Sequence, residues 1–510
     1  MVDDRESDHR SDAEKATVVR TIADMRVLGL TEDDAHFYES FPSEKRKKLV
    51  RKVDVRLVPM LALLYLISQL DRANIGNAKI EGLNKDLGLT GIQYNIVTSI
   101  FFVPYVLFEL PSNAILKKCS RPSYYLGTLT TIWGVIMLSH GFVKNYGQLA
   151  VRILLGTFEA GFFPGALYLC TYWYMPKELA SRIAIFYTTS SLSGAFSGLL
   201  AAAIAKLGGR AGISGWQWIF IIEGAATVLV GILCFFCLID SPKLSKRWLD
   251  PESIRYLELQ IFIKQGGRFT DEKKDFLWAD LKTVVTNPHI YGHAWLLFCQ
   301  SACSYGNKFT LPSITAALGF SNTNAQLLTV PPYIAGAISS FALGVLSDHY
   351  YWRMPFVVGP LTLIAIGYSV IVSFKGDLQN HIAGSLVAII IAVAGIYPIQ
   401  PADTAWGASN LAPAGRRAIG IGFFNGVGNT GGILGSYIYL DSQAPAYPVG
   451  FGVCIALALS GVIVALTLEF SYMRENKKRA TLSESELRAT YSEDETLRMG
   501  EKSPFFKYTY

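Results

Sequence analysis

The chain has 510 residues, of which 51% are apolar and only 17% charged, with a formal net charge of +6. A soluble protein of this length carries nearer a quarter charged residues, so the composition excludes an ordinary cytosolic enzyme and points to a membrane. The basic excess sits in short clusters between apolar blocks, where it reports topology and not a nucleic-acid partner.

Residues 1–56 are strongly charged and carry no cleavable leader, which marks a cytosolic N-terminal tail. Six apolar blocks follow at 57–78, 94–116, 123–143, 148–173, 182–206 and 217–239. Each is about twenty residues, enough to cross roughly 30 Å of hydrocarbon as a helix. Residues 240–288 form a polar central loop, in which 251–264 and 273–285 read as short amphipathic helices; Asp271, Glu272, Lys273 and Lys274 lie in its mixed-charge stretch. Six more blocks occupy 290–312, 325–347, 354–374, 383–405, 418–440 and 449–471, and 472–510 is a second cytosolic tail. The reading is an all-α membrane protein of twelve transmembrane helices, in an N-terminal bundle at 57–239 and a C-terminal bundle at 289–471.

Charge bias sets the orientation. Lys45 to Lys48, Arg51, Lys52 and Arg56 precede span 1, Lys117, Lys118 and Arg121 follow span 2, and Lys177 and Arg182 follow span 4. Arg416 and Arg417 precede span 11, and Arg474, Lys477, Lys478 and Arg479 follow span 12, whereas 319–324 and 441–448 hold no Lys or Arg. Both termini are therefore expected in the cytosol.

Ionisable residues inside the spans cost about 2.5–3.5 kcal/mol each on insertion scales, so each calls for a reason. Asp71 and Arg72 lie about fourteen residues into span 1, roughly 20 Å from its inner end. Span 4 runs the other way and carries Arg152 and, near mid-depth, Glu159, on one face two turns apart with Gly156 between them. Asp71 and Arg72 point about 100° apart and need partners from another helix, and span 4 supplies opposite charges at the right depth. An anion bound at Arg72 or Arg152 would compete with such pairing and favour protonation of Asp71 or Glu159, so proton and anion would assist each other's binding. Lys308 lies near the outer interface, where it could snorkel. Glu223 stands between a cavity role and a structural pair. Glu109 and Asp403, towards the inner ends of spans 2 and 10, suit inner-gate contacts. His289 and His293 share an i, i+4 spacing with no third ligand, and a metal is not expected.

Pro104 and Pro111, Pro164 and Gly165, Pro331 and Pro332, and Pro398 and Pro401 should interrupt their spans and let half-helices bend. Span 11 is glycine-rich (Gly422, Gly426, Gly428, Gly431, Gly432, Gly435), a pattern for close helix packing, and its Asn425 and Asn429 could contact a substrate. Cys234 and Cys237 form a CxxC with no second pair or turn, best read as packing.

Five stretches carry a resemblance: LDRANIGNA (70–78), VPYVLFELPSN (103–113), VRILLGTFEAGFFPGALY (151–168), WQWIFIIEG (216–224) and GNTGGILGSYIY (428–439). Together with two groups of six spans around a cytosolic loop, the chain resembles the major facilitator superfamily, in its fungal anion:cation symporter branch of allantoate and nicotinate permease-like proteins. The superfamily's loop signature is matched by Gly344, Asp348 and Arg353, which the resemblance implies are gating residues; in the first half Asn113 and Lys117 replace its Gly and Asp. Span 5 lacks the GPxxGG element of drug–proton antiporters.

The resemblance implies a plasma-membrane protein that takes up a small carboxylate or vitamin together with protons. It implies that Asp71, Arg72 and Glu159 bind the anion and couple protons. The chain is expected to need no cofactor and to work as a monomer with a small organic anion, protons and the lipid bilayer as partners. The alternatives are an exporter of a fungal secondary metabolite and a non-transporting nutrient receptor. No HExxH, nucleophile elbow or aspartate pair suggests an enzyme.

Overall fold

The structure, a computed structural model, describes residues 30–116, 118–264, 278–350, 352–482, 491, 495 and 499–510. Lys117, Asp271 to Lys274 and the side chain of Asp348 lie outside the described set.

Helices follow the twelve apolar blocks in order. They are α1 (Ser43–Ile80), α2 (Phe102–Leu116, preceded by Gln93–Ser99), α3 (Pro122–Ser139) and α4 (Val151–Glu159, resumed as Phe162–Thr171). Then come α5 (Pro176–Ala205), α6 (Gly215–Cys237), α7 (Pro288–Ala317) and α8 (Val330–Tyr350, preceded by Asn322–Leu327). The series ends with α9 (Pro355–Ser373), α10 (Ile382–Ser409), α11 (Ala414–Asn429, resumed as Gly431–Tyr437) and α12 (Pro448–Ala480). Among the described residues, eight stretches are long and apolar enough to cross a membrane by length and composition. The four that fall short are α2, α3, which is rich in Ser, Thr and Tyr, α7, which carries Gln300, Asn307 and Lys308, and α11, which is rich in Gly and Asn. The outward side chains are apolar: Phe236 is 82% exposed, Phe470 68%, Phe341 65% and Ile338 65%. The polar groups are turned inward, as lipid demands.

Proline breaks three of the four spans expected to be interrupted. Proline lacks an N–H and its ring clashes with the carbonyl four residues back, so α2 is broken at Ile100–Phe101 ahead of Pro104, α4 at Ala160–Gly161 ahead of Pro164, and α8 at Leu328–Thr329 ahead of Pro331. Span 10 differs: Pro398 and Pro401 lie within one continuous helix.

The chain splits into two compact units. One comprises Met1–Pro59, Leu167–Ser181 and Cys237–Phe276. In it the helix Glu32–Ser40, capped by Thr31, packs on the helix Pro251–Lys264, the first of the two predicted amphipathic helices. Of the second, the described part is helical over Trp278–Val285. Arg255 pairs with Asp33 (2.5 Å) and Asp34 (2.6 Å), and its hydrogen bond holds the Asp34 carboxyl below the ordinary range. Tyr256 stacks between Tyr38 and Phe41, and Arg46 pairs with Glu178 at 3.0 Å. The stretch preceding span 1 is thus a folded part of this unit from residue 30 onward, beyond the simple tail expected from its charge.

The second unit, Met60–Ala166, Arg182–Phe236 and Leu277–Tyr510, holds the polar interior. Within it, α1, α2 and α5 meet α7, α8 and α11 at the end remote from residues 499–510, called here the far end. Asn95 donates to the Ser436 carbonyl (2.6 Å), Asn322 to the Ile80 carbonyl (2.8 Å) and Ser191 to the Tyr333 carbonyl (2.9 Å). Lys79 pairs with Asp441. At Gly76 a Cβ would stand 2.8 Å from the Lys308 carbonyl oxygen, so α1 and α7 touch backbone to backbone.

Candidate functional site

The middle of α1 carries polar residues on two faces, because neighbours on a helix point about 100° apart. Ser68, Gln69 and Arg72 form one face. Arg72 Nε donates to Glu159 Oε1 at 2.6 Å, and Ser68 Oγ donates to the same oxygen at 2.5 Å. The pair is buried, with 6% and 0% of the side chains exposed. Glu159 ends the first segment of α4 at the proline-driven break, and its Oε2 is buried without a hydrogen-bond partner. Arg72 Nη1 donates to Tyr305 Oη of α7 at 2.6 Å, and its guanidinium lies 4.4 Å from the ring centre of Tyr105. From α7, Lys308 Nζ donates to Gln69 Oε1 at 2.6 Å.

Asp71 and Asn74 form the other face. Asp71 Oδ2 accepts from Trp133 Nε1 of α3 (3.1 Å) and Thr227 Oγ1 of α6 (3.1 Å), and Asn74 Nδ2 donates to Glu223 Oε2 of α6 (2.6 Å). Asp71 Oδ1 and Glu223 Oε1 are buried without partners. The two charges of the Asp71-Arg72 pair therefore enter different networks.

Several expectations are met at the level of contact and others are corrected. Arg72 and Glu159 come together as span 1 and span 4 suggested. Asp71 does not turn to span 4: its partners come from α3 and α6, because the 100° step that faces Arg72 to α4 faces Asp71 away from it. Arg152 is 1% exposed, and its Nε and Nη1 have no hydrogen-bond partner, so it joins neither carboxylate; Phe101 lies under its guanidinium at 5.9 Å. Lys308 does not snorkel to an interface; it is 3% exposed and points back into the molecule.

Asn425 donates to the Ile421 carbonyl of its own helix at 2.9 Å, and Asn429 is half-buried. Glu109 Oε2 is buried without a hydrogen-bond partner, within electrostatic range of Arg72. Asp403 Oδ1 lies 2.7 Å from His293 Nδ1, and His293 Nε2 lies 3.0 Å from Tyr472 Oη, so this histidine belongs to a packed polar cluster. Arg353 donates to Ser347 Oγ at 2.9 Å, and Gly344 has open space where a Cβ would stand. Cys234 is buried and Cys237 exposed on the same helix.

Sequence reasoning passed over Ser68, Gln69 and Tyr305. The available signal was spacing: Ser68 and Gln69 stand four and three residues before Arg72, and Tyr305 three before Lys308, each on the charged residue's own face.

The assembly is a buried set of opposite charges contributed by both halves of the chain. Such a set can hold an anion and exchange a proton in the middle of a membrane. Residues 61–436 match the family model described as Major Facilitator Superfamily. The chain is 35% identical to the MFS-type transporter cnsO of Penicillium expansum over 97% of its own length and 96% of that protein's. It is 32% identical to the high-affinity nicotinic acid transporter of Saccharomyces cerevisiae, over 94% and 88%. In fold it is similar to an inward-facing bacterial homologue of the human lysosomal transporter Spinster, with a TM-score of 0.63 at 17% identity, covering 81% of this chain and 95% of that one. The chain belongs to the major facilitator superfamily, among its fungal transporters, and is a multi-pass membrane transporter and not an enzyme.

Proposed function

We propose that the protein imports a small organic anion, a carboxylate or vitamin-like acid, together with protons across the plasma membrane. The observation that carries this reading is the buried Arg72–Glu159 pair. A substrate carboxylate that takes Arg72 displaces Glu159, and the freed carboxylate, still buried and within reach of Ser68, takes up a proton. Anion and proton then bind in mutual support, because each removes the cost of the other's uncompensated charge. The similarity to a nicotinic acid transporter supports an acid of this size.

The bundles at 57–239 and 289–471 rock about this site, with both termini in the cytosol as the clusters of Lys and Arg require. The far end is then extracellular, and its contacts close the outer side. Glu109, Gly344, Asp348, Arg353 and Asp403 serve the inner gate, while Arg152, Asn425 and Asn429 join the substrate path when the halves part.

The test is uptake of labelled nicotinate and other small carboxylates by cells producing the protein, as outside pH is varied. Accumulation should fall as outside pH rises and collapse with a protonophore. Accumulation indifferent to the proton gradient would remove the coupling, and net export would reverse the direction.

A further inference from the structure

The backbone of Lys308 is level with Gly76 of α1, where a Cβ would lie 2.8 Å from its carbonyl oxygen. Its ammonium nevertheless bonds Gln69 at 2.6 Å, seven residues and about 10 Å back along α1. Helix side chains lean towards the N-terminus, so this lysine reaches away from the far end and into the middle of the molecule. Its direct contacts there are neutral, the Gln69 amide oxygen and, at 5.6 Å, the ring of Tyr305, with the Arg72–Glu159 pair within electrostatic range but not bonded to it. A buried cation with no carboxylate bonded to it is costly to keep and calls for a ligand that compensates it.

Arg72 repeats the arrangement from the other half, since it reaches across to the neutral Tyr305 hydroxyl while Lys308 reaches across to Gln69. Gln69 and Arg72 stand one turn apart on α1, and Tyr305 and Lys308 one turn apart on α7. Within this ladder two cations face one bonded carboxylate, Glu159. Asp71 and Glu223 lie in the network on the opposite face of α1, and Glu109 stands within electrostatic range of Arg72 with its Oε2 unbonded.

We infer that the transported anion carries two acidic groups, one taken by Arg72 and the second by Lys308, which makes Lys308 the residue that selects a dicarboxylate. The inference rests on the proton-coupled reading above. When the anion takes Arg72 and Glu159 is protonated, a monocarboxylate leaves Lys308 without a bonded acid, whereas a dicarboxylate reaches both cations of the ladder. Binding would also replace both neutral crossings between α1 and α7 by bonds to the substrate, and so free the two halves to move.

The experiment measures affinity, by protection of the purified protein against thermal unfolding and by competition of uptake, for matched acids: nicotinate and quinolinate, benzoate and phthalate, butyrate and succinate. In at least one pair the dicarboxylate should bind about tenfold or more tightly, the equivalent of one compensated buried charge. Lys308→Gln should cost the dicarboxylate at least about tenfold more than its partner, and Lys308→Arg, which keeps the charge, should preserve the preference. A wild type that prefers every monocarboxylate, or a Lys308→Gln variant that weakens both members equally, overturns the inference and leaves anion transport standing. Failure of every acid to protect or compete overturns anion transport itself, and this inference with it.

Discussion

Arg72 concentrates three interactions in one side chain: an ion pair to Glu159, a hydrogen bond to Tyr305 and stacking over Tyr105. Only a planar fork can serve these together, and an ammonium is a single compact charge. Arg72→Lys should therefore lower substrate affinity by about tenfold or more while keeping the protein folded, since the charge opposite Glu159 is retained. Full affinity in that variant, measured by uptake competition, would separate Arg72 from substrate binding. Arg72→Ala is a poorer probe, because removing one member of a buried pair destabilises by about 3–5 kcal/mol.

Glu159→Gln mimics a permanently protonated acid, so exchange of labelled for unlabelled anion should persist while uphill accumulation disappears. Asp71→Asn provides the contrast. Its Oδ2 already accepts from two neutral donors, an arrangement an amide oxygen can reproduce, so thermal stability should fall by no more than about 1 kcal/mol. A severe loss of stability would show that Asp71 is held as a structural charge.

Among the elements, α11 shows how close packing is written in glycine. A Cβ on Gly431 would stand 2.3 Å from the Phe298 carbonyl oxygen and one on Gly435 2.6 Å from that of Ala302, so α11 rides on the α7 backbone. A Cβ on Gly432 would meet the Phe102 ring of the N-terminal half at 2.4 Å, while Gly422 and Gly426 have open space. The glycine pattern thus marked the packing seam at four positions, with Gly428 against Leu297, and had no packing meaning at the other two. Gly431→Ala should destabilise by about 1–3 kcal/mol, as overpacking against an immovable backbone does; an unchanged melting temperature in detergent would contradict the packing.

The C-terminal stretch is the second element with unexpected work. Thr509 accepts at its carbonyl from Trp406 (3.0 Å) and Asn410 (2.9 Å), and Tyr508 exchanges bonds with Asn476 (2.9 Å both ways) and stacks on Tyr472. Arg416 donates to the Met499 carbonyl and Arg479 to that of Phe506. Residues 499–510 bind α10, α11 and α12 together. Removing them should lower the melting temperature of the purified protein, and a truncated protein as stable as the full chain would show that the stretch is ornamental.

At the scale of the molecule, the far end is joined by small polar contacts and, among the described residues, by one ion pair, Lys79–Asp441, whose side chains are 9% and 43% exposed. A pair open to solvent on one side contributes about 0.2–1 kcal/mol, small enough to form and break in the proposed cycle. Reversing either charge alone should change the transport rate by less than about tenfold. Combining Lys79→Glu with Asp441→Lys should return it towards wild type, and additive losses in the double variant would show that the pair does not hold this end closed.

Much of the molecule was legible in one dimension. Helix order follows from the length of apolar blocks, since the bilayer imposes a fixed thickness and requires backbone groups to be satisfied within the segment. The Arg72–Glu159 contact was legible too, because two opposite charges at matching depth in a membrane have few alternatives to each other. What the sequence could not decide was direction around and across helices. Asp71 is found with Trp133 and Thr227, Arg152 is left without the carboxylate two turns away, and Lys308 turns inward instead of to an interface. Each outcome depends on which faces of distant helices meet, and on whether a long side chain leans up or down its own helix. Sequence alone determined that charges are buried here; only the tertiary structure decided which of them compensate one another.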